Sequence, residues 1–201
     1  IVNWIHHFLK QKYPRTVLTG NSSDNPMLKV LDKLDGKSPV VVELSSWHLE
    51  LLPVSGKAPH IAVITNIFPD HLNRYRNLAD YASAKANIFK HQTKNDFLIL
   101  NSKNEWTKFF LEKSASWRTK SQILYSNNKE KHRSERIMEK TSPTNNNRGA
   151  PFSPRRSDVF LKELGEHNLQ NLKTSALAAH LAGVSWDLIK KGIRTLPPIK
   201  F

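Results

Sequence analysis

Residues 61–89, IAVITNIFPDHLNRYRNLADYASAKANIF, decide the fold. The first four, Ile61 to Ile64, form an apolar, largely β-branched run of the kind a buried strand carries. A polar loop follows, holding Asn66, Asp70, His71 and Arg74. From Leu78 the apolar spacing becomes helical, with Leu78, Tyr81, Ala82, Lys85, Ile88 and Phe89 on one stripe. Lys85 falls where a core residue belongs. A bare ammonium there is costly unless it is paired, modified or bound to something. A strand end, a carboxylate, an imidazole and a misplaced lysine in one stretch describe a site as well as a fold.

The same alternation repeats outward from this stretch. Residues 2–13 read as a helix with Val2, Ile5, Phe8 and Leu9 on one face and Pro14 at its end. A short strand over 16–19, a turn-rich loop over 20–26 and a helix over 27–34 follow. The PVVVEL run at 39–44 predicts a strand buried on both faces of a parallel sheet. Residues 60–65 are a second such strand and 96–100 a third. A helix over 103–117, a strand over 122–125, a small-residue helix over 168–182 and a last helix over 185–195 complete the pattern. Strands alternating with helices predict an α/β fold, a mostly parallel sheet flanked by helices. Ligands of such sheets lie at the carboxyl ends of the strands. Glu43 closes one run, and Asn66, Asp70 and His71 follow the next, so both point to one edge.

The 201 residues allow one good-sized core or two small ones. Without cysteine there are no disulfides, thiolate metal sites or cysteine nucleophiles. No apolar run approaches a membrane span, and the first residues are not a signal peptide. The chain opens on Ile1, so it reads as part of something longer. A formal charge of +14 raises the expectation of a polyanionic ligand. The densest basic part runs from Lys129 to Arg156, where eight cations face Glu130, Glu135 and Glu139. With its asparagines, prolines and few apolar residues, 126–157 is expected to be a solvated, disordered basic insertion. It lacks the interleaved aromatics of a stacking platform, so nucleic acid is not the expected partner.

Several motifs remain open on the residues alone. Glu43 suits a divalent metal that bridges phosphates, or else a strand-end acid paired with a nearby cation. Ser45 and Ser46 could add hydroxyls to that ion or cap the following turn. Lys85 has three readings: it snorkels out of its stripe, it pairs with Glu43, or its amine is carbamylated into a metal ligand. Snorkelling ranks first from the sequence. Gly36-Lys37-Ser38 is a turn and not a phosphate loop, because Leu31 stands where the earlier glycine is needed and a strand follows. His6 and His7 point about 100° apart on a helix and cannot chelate one ion. Asn168 reads as an N-cap, and Asn171 lies about one turn along, so two carboxamides could read an adenine edge.

The strings VVELSSWHLE, APHIAVITNIFPDHLNRY, YASAKANIF and GEHNLQN, in this order, resemble the central domain of the Mur ligase family. They are most similar to its D-glutamate-adding branch. The resemblance covers most of 1–125 and 164–196, and implies a P-loop-type ATPase sheet. It implies ATP-dependent phosphorylation of a substrate carboxylate to an acyl phosphate, which an incoming amine attacks. The substrates implied are UDP-N-acetylmuramoyl-L-alanine and D-glutamate, and the cofactors ATP and Mg2+. Glu43 and His71 would hold magnesium, and Lys85 would be carbamylated and order a second magnesium. His71 and Lys85 would thus be the catalytic pair. Asn66, Asp70 and Arg74 would line the nucleotide-sugar and metal side, with Ser45 on the substrate side. Asn168 and Asn171 would contact adenine. The intact enzyme would be a monomer of the bacterial cytoplasm, with no membrane partner.

Departures from the pattern define the alternatives. The family's glycine-rich phosphate loop and its UDP-binding and amino-acid-binding domains lie outside 1–201. The chain is therefore expected to be an incomplete central domain, inactive alone. The usual Gly-Asn-Ile-Gly turn reads Gly20-Asn21-Ser22-Ser23, and Trp47-His48 replaces Phe-Gln. Another Mur ligase, or a folylpolyglutamate-synthase-like enzyme, is the alternative within the class. A catalytically dead basic domain that binds polyanions is the alternative outside it.

Overall fold

The computed structural model describes residues 1–21, 26–70, 72–126 and 165–197. The expected insertion over 126–157 lies, but for Ser126, outside the described residues. The chain forms two compact units. One holds residues 1–18, 35–41 and 128–201, and the other 19–34 and 42–127.

The described part of the first unit holds three α-helices, together with the first residues of two short strands. Helix α1 (Val2–Lys10) buries Trp4, Ile5, Phe8 and Leu9 on one face, as the apolar spacing predicts. It ends three residues earlier than expected, in a turn closed by the Tyr13 amide donating to Leu9 O, so Pro14 is not the terminator. The unit's other two helices are Glu166–Leu181 and Trp186–Ile193. Ser175, Ala176 and Ala179 of the former are fully buried, and such small side chains allow close helix packing. A Cβ on Gly192 would come within 2.9 Å of Phe8 Cδ1, so the last helix needs glycine where it meets α1. Both suspect histidines are occupied structurally: His6 Nε2 bonds Thr16 O and His7 Nε2 bonds Gly192 O. The Glu166 helix begins two residues before the expected start, with Gly165 as N-cap. Asn168 is therefore not the cap. Glu166 in the first turn complements the positive helix end instead.

The second unit carries the predicted parallel sheet. Strands β3 (Ile61–Ile64), β4 (Phe97–Leu100) and β5 (Gln122–Tyr125) lie in that order. Ile61 pairs with Phe97 and Phe97 with Gln122, in parallel register. The central strand β4 is the one buried on both faces: Leu98, Ile99 and Leu100 are sealed from solvent. Helix α3 (Leu78–Ala86) packs Tyr81, Ala82 and Ala86 into this core. Phe110 of α4 (Thr107–Ser116) joins them beside Phe89. The helix expected over 27–34 is present as a 3-10 helix over Met27–Lys33. Val30 is its one buried residue, and Leu28 and Leu31 are exposed, so no apolar stripe is buried to sustain α-helix.

Strands β1 (Val17–Gly20) and β2 (Val40–Glu43) form a separate two-stranded sheet. Its hydrogen bonds step forward together, from Val17 N to Pro39 O and from Asn21 N to Glu43 O, which is the parallel sense. Here the expectation of a strand buried on both faces fails. Val41 is buried, but Val40 is 41% and Val42 38% exposed. Among the described residues β2 has one hydrogen-bonded neighbour, β1, and the β-branched run reports strand propensity without reporting cover. Gly20 sits at φ +127°, and a Cβ there would fall 2.1 Å from Glu43 O. Only glycine lets β1 run this close to the end of β2.

Candidate functional site

The second unit gathers most of the expected site residues. Glu43 ends β2 with its side chain exposed, and no described residue pairs with its carboxylate. Two residues later Ser45 caps helix α2 (Ser46–Leu51) in a reciprocal capping box with His48. The His48 amide donates to Ser45 Oγ, and Ser45 N donates to His48 Nδ1. Ser45 thus has the capping role that was one of its two readings, and its hydroxyl lies 2.8 Å from His48 Nδ1.

The loop after β3 is tied at several points. Asn66 Oδ1 accepts from Asn101 Nδ2 at 2.7 Å and from Asn104 Nδ2 at 3.3 Å. Asn101 is buried at the carboxyl end of β4, so neighbouring strand ends share one carboxamide cluster. Asp70 is exposed, and His71 lies outside the described residues. Arg74 Nη2 donates to Glu50 Oε2 at 2.6 Å and Nε to Oε1 at 3.4 Å. Its guanidinium lies 4.7 Å from the Trp47 ring centroid. The Tyr75 hydroxyl also donates to Glu50. These donors hold the Glu50 carboxyl below its usual range, and the carboxylate in turn raises Arg74. Burial is the first cause raising the Tyr75 hydroxyl, with the Glu50 bond second.

Lys85 lies on α3, half-buried, with its Nζ 4.9 Å from the Tyr81 ring centroid. Burial pushes its amine below the ordinary lysine range, and the negative charge of Asp70 partly offsets this. Lys85 makes no ion pair with Glu43, which removes that one of its three readings. The other two differ in where the amine sits, and here Lys85 is half-buried with its Nζ beside the Tyr81 ring. Among the described residues no three acidic or imidazole side chains converge as a metal site. Asn168 and Asn171 belong to the other unit, where both are half-buried in the first two turns of their helix.

Sequence reasoning missed Glu50, Tyr75, Asn101 and Asn104. Glu50 closes the VVVELSSWHLE string, and a second acid in the short segment that follows Glu43 was a signal. Asn101 follows FLIL much as Asn66 follows IAVIT, and that parallel was a second.

A β-α alternation with these residues at its strand ends can be compared with known proteins. The sequence model of the Mur ligase middle domain matches residues 1–179. The chain belongs to the Mur ligase middle-domain family. It is 43% identical over 99 residues to the UDP-N-acetylmuramoylalanine–D-glutamate ligase of Borreliella afzelii, covering 49% of this chain and 21% of that protein. The protein of the same name from Limosilactobacillus reuteri is 32% identical over 173 residues, 86% of this chain and 35% of that one. That from Acetivibrio thermocellus is 29% identical over 203 residues, 98% of this chain and 40% of that one. The chain therefore spans no more than 40% of the length of these relatives. Among solved structures, MurF from Acinetobacter baumannii superposes with a TM-score of 0.55 at 18% identity. That likeness covers 99% of this chain and 50% of MurF, and it confirms the fold.

Proposed function

We propose that this Mur ligase middle domain serves an enzyme that joins D-glutamate to UDP-N-acetylmuramoyl-L-alanine at the expense of ATP. The names of the relatives support the amino acid, and the family match supports the ligase chemistry. In this reading the substrate carboxylate attacks the γ-phosphorus of ATP and ADP leaves. The amine of D-glutamate then displaces phosphate from the acyl carbon, losing a proton as the amide forms.

The observation that carries the site assignment is Lys85. Its half-buried amine has a ring contact but no ion pair or hydrogen bond among the described residues. A depressed amine keeps more of the unprotonated form that reacts with carbon dioxide. The donor set fits a magnesium–nucleotide site: Glu43 offers an unpaired carboxylate at a strand end, and a Lys85 carbamate would add oxygen donors. His71 would complete the set. Magnesium, when bound, neutralises phosphate charge. Asn66, with its oxygen held by Asn101 and Asn104, presents an amide to the substrate side. Ser45 and Asp70 would line that side, with Arg74 fixing the loop that carries Asp70. Asn168 and Asn171 would read adenine. Among the described residues no helix is long and apolar enough to cross a membrane. We further propose a monomer that works in the cytoplasm.

The test is Lys85→Ala in the intact protein, with and without a short carboxylic acid in solution. The proposal expects ligase turnover to fall at least about 100-fold, with partial recovery when the added carboxylate replaces the carbamate. Lys85→Arg retaining near-normal turnover would refute the assignment.

A further inference from the structure

We propose that Glu50 is a positioning residue for this reaction: it ties α2 to the β3–α3 loop so that Asn66, Asp70 and Lys85 keep one arrangement. The inference rests on the site reading above and adds to it a residue that touches none of the reacting groups.

Among its described residues, the loop between β3 and α3 forms no regular strand or α-helix of its own. Asn66 is fixed at one end by Asn101 and Asn104. At the other end Asn77 caps α3 by accepting from the Asp80 amide. Between them, Glu50 accepts from both Arg74 and Tyr75. Arg74 also lies over Trp47 of the same helix, so α2 grips the loop by a two-point ion pair and a ring face. The grip continues inward. The Tyr75 ring stands 5.3 Å from that of Tyr81, and Tyr81 is the ring beneath Lys85 Nζ. A line of contacts thus runs from Glu50 through Tyr75 and Tyr81 to the amine. Exposed ion pairs usually do little for stability. This one joins a carboxylate to two donors of one loop, and its consequence is geometric.

The experiment uses the intact protein with Glu50→Ala, Glu50→Gln and Tyr75→Phe. Steady-state kinetics are read beside the carbamate carbon resonance of Lys85 after exposure to 13C-bicarbonate. Glu50→Ala is expected to lower kcat on the order of 10- to 100-fold, as a small misplacement does, with KM for ATP little changed. It should also weaken the carbamate resonance. Glu50→Gln, which keeps an acceptor, should recover part of both. Tyr75→Phe keeps the ring against Tyr81 and should lie between wild type and Glu50→Ala. Wild-type kcat and resonance in Glu50→Ala would overturn the proposal. So would losses that only track the unfolded fraction in a thermal melt. If the wild type shows no carbamate resonance, the Lys85 reading fails, and the kcat of the Glu50 variants still decides the role of Glu50.

Discussion

Replacing Gly20 by alanine is expected to damage the end of β2 far more than an ordinary glycine substitution. The new Cβ would lie 2.1 Å from Glu43 O, 2.5 Å from Glu43 N and 2.8 Å from Glu43 C. All three are backbone atoms, so no side chain can rotate out of the way. The strands must part until the closest contact passes 3.0 Å. That movement strains the bond from Asn21 N to Glu43 O, now 2.8 Å, worth about 0.5–1.5 kcal/mol. Holding a non-glycine residue at φ +127° adds about 1–3 kcal/mol. Overpacking contributes about 1–3 kcal/mol. The total is about 2.5–7.5 kcal/mol, less whatever the two-stranded sheet recovers by opening. Gly56→Ala is the control: it also has positive φ, at +65°, but nothing lies within 4 Å. Its cost should be the left-handed strain alone, about 1–2 kcal/mol. Urea unfolding of the two variants measures the difference as a shift in midpoint at constant slope. Equal losses would refute the close approach of β1 to Glu43, and with it the placement of that carboxylate.

Phe89→Ala should cost about 3–5 kcal/mol, because the ring is sealed from solvent and packs on Phe110 and Trp117; denaturant midpoints check this. Asp35 accepts from the Lys37 and Ser38 amides and the Ser38 hydroxyl, which hold its carboxyl down at about 2 from 3.8. A lowered carboxyl stabilises above its unfolded value and loses that contribution as pH falls through its folded value. The stability gap between wild type and Asp35→Asn should therefore be full at neutral pH, shrink from about pH 4 downward and be largely gone near pH 2. A gap that grows on acidification would contradict the turn.

The parts that were legible in the sequence are those whose signal is local. Residues 122–125 were read as a strand and are β5, and the periodicity that begins at Leu78 became α3. Lys85 stood out because a charged residue in an apolar stripe is a conflict visible within one turn. The exposure of β2 was not legible, because a β-branched run is the same whether one neighbour or two lie beside it. Helix α2 is six residues long, too short for a period to show. Glu50 meets Arg74 and Tyr75 across separations of 24 and 25 residues, and Asn66 meets Asn101 across 35. Each partner is an ordinary polar residue in its own segment. Only the fold makes them neighbours.

The most direct measurement of the central claim is amide formation by the intact protein given UDP-N-acetylmuramoyl-L-alanine, ATP and Mg2+ with one amino acid at a time. Phosphate release and product mass are followed together. The account predicts turnover with D-glutamate, accompanied by ADP and phosphate, and none with L-glutamate, L-lysine or D-alanyl-D-alanine. Turnover with one of those others, and none with D-glutamate, would contradict it.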